Sequence, residues 1–528
     1  MKRAYHFALA SAAAVLIALA WLFQGGWLNT YLSTAAPDPS LSEDKDKLAL
    51  HLFVSLPAGA NLPGEADDFV RRAIEAKFNV QLTLSAVKAG DEYDTQLASL
   101  LAANDPPDMW LGLGTDGGAS YALDNALADM TLFVSPATMP NYFKYWISGQ
   151  ELRQYQFHNK FMRAPVPYDK KTYRAYYIRK DWLDRLGLDV PTTYEQYYRV
   201  LHAFTYGDPD GNGLNDTYGF TTAGNGTGLS TDWPEYVNNG LLYPAYYKDN
   251  KLIDMQMDLR IKDVVTDILR VIDDGLVDPD WFLNKSDDAF NKAVWGKAGI
   301  VLGDTKNFAY DSNPDSLQAR SKQINPMAEW ISFNPFGNKP LRTAVSPGHP
   351  FVFSNKTAGL KPEKLKKTAT ILDWLAGEEG FLLTHYGISG KHYDRQGSVI
   401  TLKPEAIEAD IASKGRFLDI WSFFTPDTPE VLGLTVVDPR ETERDKAIHE
   451  MITHIPVHEG VGTTLTPPLG IRVDTMRARQ DELQVKMLFT DKSGEHWPEY
   501  REEIISRYKG EQIFKQYEYK IRAARKEK

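Results

Sequence analysis

The sequence predicts an α/β protein, and two observations support this prediction. Between residues 48 and 111, segments with the period of a β-strand alternate with segments that have the period of an amphipathic helix. The chain is also 528 residues long, which is more than one hydrophobic core usually serves. We therefore expect two or three lobes, each built from a sheet with helices packed on its faces.

The order of these segments indicates the type of sheet. LALHLFVSL (residues 48–56) and VQLTLSAV (80–87) are predicted strands, and the amphipathic segment between them (65–79) is a predicted helix. A second helix, in YDTQLASLLAAND, precedes the short apolar strand MWLGLG. This order favours a parallel or mixed sheet with helices on both faces. Residues 371–387 and 497–528 are predicted to be mainly helical.

The composition excludes several classes of protein. A formal net charge of −11 disfavours non-specific nucleic-acid binding, which depends on a basic surface. The absence of cysteine from all 528 residues excludes disulfides, cysteine metal sites and thiol nucleophiles. It also excludes a lipoprotein anchor, because the lipid would need a cysteine to carry it.

The N-terminus indicates export. Lys2 and Arg3 precede an apolar run over residues 7–23, as in a signal peptide. The run is long enough to serve instead as an uncleaved membrane anchor, so residues 1–37 are expected to be one or the other. Residues 38–47 are rich in Pro, Ser and charge and are expected to form a tether. The body is therefore predicted to be extracellular and associated with the cell surface.

The segment GDPDGNGLNDTYGF (residues 207–220) concentrates hard oxygen ligands in one turn. Its spacing follows the start of an EF-hand, but position 12 is Gly219 where that motif needs a bidentate Glu, so it is not an EF-hand. Alternating carboxylates and amides with flexible glycines are typical of a structural Ca²⁺ site. The alternative is a solvated turn, which the same residue types also favour. The predicted ligands are Asp208, Asp210, Asn212, the carbonyl of Leu214, and Asp216.

Four motifs resemble those of family 1 extracellular solute-binding proteins, the substrate-capturing components of ABC importers. The longest runs from YYIRKDW to the acidic turn (residues 176–220). Three further segments are similar to family motifs and lie in register along the chain: LAANDPPDMW (101–110), WGKAGIVLGD (295–304) and EEGFLLTHYGISGKHY (378–393). The long form with an acidic turn is most similar to alginate-oligosaccharide binders and their Gram-positive relatives.

The resemblance implies a two-lobed type II clamp with a hinge between α/β lobes. It assigns residues 48–165 and 340–400 to one lobe, and residues 166–339 and 401–528 to the other. It further implies a monomer that holds an oligosaccharide in the cleft and delivers it to a membrane permease. In relatives a Glu often follows the last Asp of the calcium loop; here that position is Thr217, which becomes a further candidate ligand.

Carbohydrate sites combine aromatic faces with a few polar groups that fix orientation. Trp182 and Trp374 lie in regular helical patterns and are expected in the core, whereas Arg163 and Arg342 are expected to be solvated surface unless the ligand is acidic. The candidate ligand-binding residues are Trp233 in a glycine-rich loop, Trp110 and Asp304 at strand ends, and Tyr386 beside Gly387.

Motifs of hydrolytic enzymes are weak in this sequence. The histidines of HEMITH (residues 449–454) are five apart, and Pro456 interrupts the helix between His454 and His458, so neither pair suits a helical zinc site. We therefore expect a binding protein and no enzyme. A secreted glycan-degrading enzyme and a surface sugar sensor without its own transporter remain the alternatives.

Overall fold

The computed structural model describes residues 47–113, 121, 124–153, 155, 161–345, 348–463, 465–468 and 470–526. The chain from Ala49 onward packs as one compact unit. The predicted leader (1–37) and nearly all of the predicted tether (38–47) lie outside the described residues. Among the described helices, none combines the length and apolarity that a membrane span requires.

Strands occur along most of the described chain and form two larger and two smaller sheets. They are β1 (Leu48–Leu56), β2 (Val80–Lys88), β3 (Met109–Leu111), β4 (Ala164–Pro165), β5 (Ala175–Arg179), β6 (Tyr218–Phe220), β7 (Ala245–Lys248), β8 (Lys251–Asp254), β9 (Ala298–Gly303), β10 (Trp330–Phe333), β11 (Pro350–Phe353), β12 (Tyr393–Gln396), β13 (Val399–Leu402) and β14 (Thr435–Val437).

Helices separate and cover these strands. The α-helices are Phe69–Phe78, Asp91–Ala102, Gly149–Arg153, Lys180–Leu186, Tyr194–Tyr206, Pro234–Asn238, Ile261–Asp273, Ser286–Val294, Leu317–Ile324, Asn355–Leu360, Pro362–Leu375, Glu378–Tyr386, Pro404–Ile407, Leu418–Trp421, Glu443–His454, Val473–Lys486, Trp497–Arg507 and Gly510–Lys526. The segment predicted as helical over 371–387 is divided in two, because Ala376 ends one helix and Gly377 caps the next in an extended conformation.

The five-stranded sheet has the order β2-β1-β3-β11-β4. β1 and β3 are parallel, with Leu52 opposite Met109, and β11 is antiparallel to both of its neighbours. The predicted mixed sheet is therefore confirmed, and the predicted strands at 48–56 and 80–87 are β1 and β2. The return strand β11 comes from more than two hundred residues later in the chain, a pairing that local patterns do not specify.

The four-stranded sheet has the order β10-β5-β9-β6. β6 and β9 are parallel, whereas β5 is antiparallel to β9, with Ala175 opposite Gly303. The carboxyl ends of β6 and β9 and the start of β5 consequently share one edge. Gly299 in β9 allows close packing, because a Cβ there would approach the Phe204 ring to 2.2 Å.

A large aromatic core packs against this sheet. The helix Tyr194–Tyr206 buries Tyr197, Val200, Leu201 and Phe204, which share one face at helical spacing. Thr193 caps its N-terminus by accepting a hydrogen bond from the backbone N–H of Gln196. Its last residue, Tyr206, leads directly into the acidic turn, so the core fixes where that turn begins.

One carboxyl group of this core makes stability depend on pH. Glu235 is fully buried; its Oε1 accepts a 2.8 Å hydrogen bond from the Tyr194 hydroxyl, and its Oε2 has no partner in the described part of the chain. Burial raises the pKa of Glu235 to about 7. The stability that the neutral carboxyl contributes is therefore complete below its unfolded-state pKa and is lost as pH rises through about 7.

We expect Glu235→Gln to gain stability relative to the wild type as pH rises from 4.5 to 8. The gain should approach about 3 kcal/mol, since one pKa unit corresponds to about 1.4 kcal/mol. Urea unfolding of both proteins at the two pH values measures it. A difference between the two proteins that is independent of pH would contradict this role of Glu235.

Candidate functional site

Polar side chains gather at the edge of the four-stranded sheet where β6 and β9 end. Asp304 directly follows β9, and Arg174 directly precedes β5. Because Ala175 pairs with Gly303, these two side chains meet although they are 130 residues apart in the sequence. In open α/β sheets this carboxyl edge is where ligands usually bind.

Arg174 organises this edge. Its side chain is only 4% exposed, and its Nη1 donates a 2.9 Å hydrogen bond to Oδ2 of Asp304, which is 50% exposed. Its Nη2 donates to the carbonyl of Thr231 at 2.6 Å and lies 3.7 Å from Oδ1 of Asp232. Burial opposes the charge of the guanidinium, but the two carboxylates outweigh burial and raise the pKa of Arg174. Asp304 is therefore held in place with part of its carboxylate facing solvent.

Tyr243 extends the edge and has two guanidinium groups near its ring. The Cζ of Arg174 is 5.2 Å from the Tyr243 ring centroid, and the Cζ of Arg342 is 5.4 Å from it. Both distances allow cation–π attraction. Burial lowers the pKa of Arg342; the carboxylate of Asp304 opposes this shift, and the charge of Arg174 adds to it. The edge thus offers a carboxylate, two cations and an aromatic ring within one small region.

Tyr386 lines a different space, a cavity of about 600 Å³. Tyr173, Tyr310 and Lys306 also line it, together with residues of the segment from Asp427 to Glu441. The hydroxyl of Tyr386 donates to the Asp427 carboxylate. Asp304 is not among the residues that line this cavity, so the structure does not bring Tyr386 and Asp304 into one pocket.

The acidic turn folds its polar side chains inward. The Asn212 amide nitrogen donates to Oδ2 of Asp210 at 3.0 Å and to Oδ1 of Asp216 at 3.1 Å. Oδ2 of Asp208 accepts from the backbone N–H of Gly213 at 3.1 Å, while its Oδ1 is buried without a partner in the described chain. Two carboxylates therefore share one weak donor, and a third keeps an unused oxygen.

The charges of the turn are only partly compensated. Burial and the neighbouring Asp208 and Asp216 raise the pKa of Asp210, which shows mutual repulsion. Lys297 donates to Oδ2 of Asp216 at 2.6 Å and lowers the pKa of that carboxyl. Over the described ranges, no group of three or more Asp, Glu or His side chains is gathered as closely as a metal site requires.

Two curated proteins of Bacillus subtilis strain 168 match the chain. The polygalacturonan/rhamnogalacturonan-binding protein YtcQ is 29% identical over 279 residues, 48% of this chain and 52% of the relative. The lipoprotein LipO is 31% identical over 228 residues, 42% of this chain and 45% of the relative. The alignments therefore span about half the length of the curated relatives. No protein-family profile matches the chain.

Solved structures cover the chain more completely. An HMO-binding, ABC-transporter-associated solute-binding protein from Bifidobacterium longum infantis superimposes with a TM-score of 0.68 at 18% identity, over 90% of this chain and 98% of that chain. The chain has the solute-binding-protein fold. The resemblance inferred from the sequence motifs is confirmed, as is the α/β fold class with mixed sheets.

Two further solved structures of solute-binding proteins also superimpose on the chain. Alginate-binding protein AlgQ2, solved without calcium ion, has a TM-score of 0.65 at 16% identity over 90% of this chain and 98% of that chain. An EF-hand mutant of the Streptococcus pneumoniae substrate-binding protein FusA, in complex with fructo-nystose, has a TM-score of 0.64 at 14% identity over 90% of this chain and all of that chain. These likenesses show the fold alone.

Within the solute-binding fold, the two predicted tryptophans have no free face for a sugar. Trp233 is 1% exposed, because its loop folds back and places the ring against Phe220 and Trp281, with centroids 5.5 and 5.1 Å away. Trp110 is fully buried within β3, between β1 and β11. The interpretation of both as stacking platforms is corrected to a packing role in this structure. Trp182 is buried, as expected.

Thr217 is also placed differently from the prediction. Its hydroxyl is buried and donates a 2.7 Å hydrogen bond to the carbonyl of Phe204, so it points away from the acidic turn. Leu214 exposes its side chain, and its backbone N–H donates to Oδ1 of Asn212 at 2.7 Å.

Arg174, Asp232 and Tyr243 were not predicted. The one available signal was a charged residue directly before the fully buried strand β5.

We expect Trp233→Ala to lower the free energy of unfolding by about 3 to 5 kcal/mol, because it removes a large ring from a packed aromatic core. Trp295→Ala is the matched control: that ring is 58% exposed, and its removal should change stability by less than about 0.5 kcal/mol. Chemical denaturation measures both. Equal effects of the two substitutions would contradict the packing role of Trp233.

Proposed function

We propose that this protein is the extracellular substrate-binding component of an ABC importer and that its ligand is an oligosaccharide. The observation that supports this most is the polar and aromatic edge around Asp304 and Arg174 within a solute-binding fold. The named relatives support a saccharide, since one binds polygalacturonan and rhamnogalacturonan, and FusA is in complex with fructo-nystose. The relatives are binding proteins, which argues against catalysis.

The chemistry of the edge suits a sugar. The carboxylate of Asp304 keeps solvent-facing oxygens while Arg174 fixes its position, so it can accept hydrogen bonds from sugar hydroxyls without first being ordered. Tyr243 adds an aromatic ring beside it. A few oriented polar groups next to an aromatic surface are what carbohydrate recognition requires.

Uptake in this proposal depends on closure of two lobes. We assign residues 48–165 and 340–400 to one lobe and residues 166–339 and 401–528 to the other, since the five-stranded sheet draws all its strands from the first set and the four-stranded sheet from the second. A ligand drives closure only if it binds the closed state more tightly. The closed monomer then delivers the sugar to the permease. We assign export or membrane anchoring to the N-terminal segment (1–37). A lipid anchor is not available, since the chain has no cysteine to carry the lipid.

A calorimetric screen of the purified protein against neutral and acidic oligosaccharides tests the function. We expect at least one saccharide to bind and to be recovered unchanged by mass spectrometry. Asp304→Asn, which keeps shape and removes charge, should weaken that binding at least tenfold. Asp249→Asn, at an exposed turn, should leave it unchanged. Recovery of shortened saccharides would identify an enzyme, and the absence of any saccharide ligand would contradict the proposal.

We also propose that the acidic turn binds a structural Ca²⁺ through Asp208, Asp210, Asn212, Asp216 and the Leu214 carbonyl. The unused Oδ1 of Asp208 and the mutual repulsion at Asp210 support a missing cation. The Asn212 amide nitrogen lies between two carboxylates; a half-turn of the amide would present its oxygen to the same space. Thr217 is not included through its hydroxyl, which is engaged elsewhere.

Calcium should therefore raise the thermal unfolding temperature, and EDTA should reverse the effect. At a concentration 100 times the dissociation constant the stabilisation should be about 2.7 kcal/mol. Asp208→Asn should abolish the calcium effect, while Asp249→Asn should retain it. An equal calcium response in both variants would place the ion elsewhere, and no response in the wild type would contradict the site.

A further inference from the structure

A second cavity, of about 280 Å³, adjoins the polar edge through Tyr243. Thr343 and Leu465 line it, as does Tyr517 of the C-terminal helix Gly510–Lys526. Its size lies at the lower limit of small-molecule pockets, which are usually about 300 to 1,000 Å³. One sugar ring with the rest of the chain outside is the scale of ligand that fits.

The carboxylates around this cavity already have cationic partners. Asp254, in the cavity wall, forms an ion pair with Arg477, whose Nη2 lies 2.5 Å from its Oδ2. Asp232 and Asp304, at the polar edge that Tyr243 extends, face Arg174. Each of these three carboxylates therefore already faces a cationic partner among the described residues.

Two cations beside the cavity have no such partner. Arg342 directly precedes the lining residue Thr343; its Nε donates to the Thr343 carbonyl at 3.3 Å, and it forms no ion pair within the described chain. It is half-buried, and its Cζ and the Cζ of Arg174 lie 5.4 and 5.2 Å from the Tyr243 ring centroid. Apart from the longer-range attraction of Asp304, this guanidinium has lost water without forming an ion pair.

Lys520 is the second cation. It lies one helical turn after Tyr517, and its ammonium donates to the hydroxyl of Thr466, a buried residue. In the described part of the chain it forms no ion pair, and the charged neighbour that acts on it is Arg163, another cation. Burial, together with the smaller effect of the Arg163 charge, lowers the pKa of Lys520 to about 8. The site therefore holds cations that repel one another in low dielectric.

We infer that the saccharide bound by this protein is acidic and that its carboxylates pair with Arg342 and Lys520 while a sugar ring occupies the cavity beside Tyr243. The inference rests on the proposed function and specifies its substrate class. A uronic-acid oligomer carries one carboxylate per ring, so it can offer a separate carboxylate to each of the two cations. Arg342 can bind a carboxylate through two parallel hydrogen bonds, and Lys520 as a point charge.

The test compares ligands that differ only in charge. The purified full chain is titrated calorimetrically at pH 7 with trimers of galacturonate, mannuronate and guluronate, with the methyl ester of each, and with neutral galacto-, manno-, cello- and fructo-trisaccharides. We expect at least one acidic trimer to bind and its methyl ester to bind at least tenfold more weakly. The affinity of the acidic trimer should also fall as salt is raised.

Variants locate the effect. Arg342→Gln and Lys520→Gln should each lower the affinity for the acidic trimer at least tenfold. The affinity should then be close to that for the methyl ester. Lys515→Gln is the matched control, since it lies on the same helix, is 74% exposed and pairs with Glu511. Thermal unfolding of each variant verifies folding, and salt dependence of wild-type binding serves as a second readout should either variant be unstable.

The outcomes separate the inference from the function on which it rests. Binding of a neutral trimer with no acidic ligand, or equal affinity for acid and ester, would overturn the inference and leave the carbohydrate receptor intact. The inference would also be overturned if Arg342→Gln and Lys520→Gln left the affinity for the acidic ligand unchanged. Failure of all the saccharides to bind would overturn both.

Discussion

The ion pair between Arg174 and Asp304 is the interaction on which the site depends. Arg174 is almost completely withdrawn from water, so its charge must be met by fixed carboxylates and carbonyls. Removing Asp304 would leave the buried guanidinium with only Asp232 and the Thr231 carbonyl to compensate its charge. The same pair joins the start of β5 to the end of β9. The register of the sheet therefore also fixes the position of the site.

This constraint also prepares the edge to bind a ligand. Asp304 is fixed by Arg174 before a ligand arrives, so a sugar would lose only its own freedom on binding. Tyr243 connects this edge to the smaller cavity and to Arg342. In this account Asp304 would bind sugar hydroxyls, and Arg342 and Lys520 would bind carboxylates, along one continuous surface.

Local sequence patterns predicted much of the fold. Strand alternation over residues 48–56 and 80–87 correctly predicted β1 and β2, and the apolar stripe between them predicted the helix Phe69–Phe78. The motifs identified the fold because they lie in register along most of the chain. The pairing of β11 with β3 could not be predicted in this way, because it joins distant segments and depends on the whole core.

The site was predicted only in part, for physical reasons. Asp304 was predicted as a ligand-binding residue because it ends a recognisable strand, and the structure places it at the polar edge. Arg174 became visible only through the antiparallel register of β5 and β9, which sequence spacing does not contain. Trp233 was placed wrongly because a glycine-rich loop gives no indication of which side chain folds back into the core. In the acidic turn, composition identified the carboxylates but not the inward hydrogen bond of Thr217.

The most direct measurement is a crystal structure of the protein with a bound oligosaccharide. The account predicts a sugar hydroxyl at hydrogen-bond distance, about 2.6 to 3.2 Å, from the Asp304 carboxylate, with a ring beside Tyr243. A saccharide bound in the cavity that Tyr386 lines, without contact to Asp304, Arg342 or Tyr243, would contradict it.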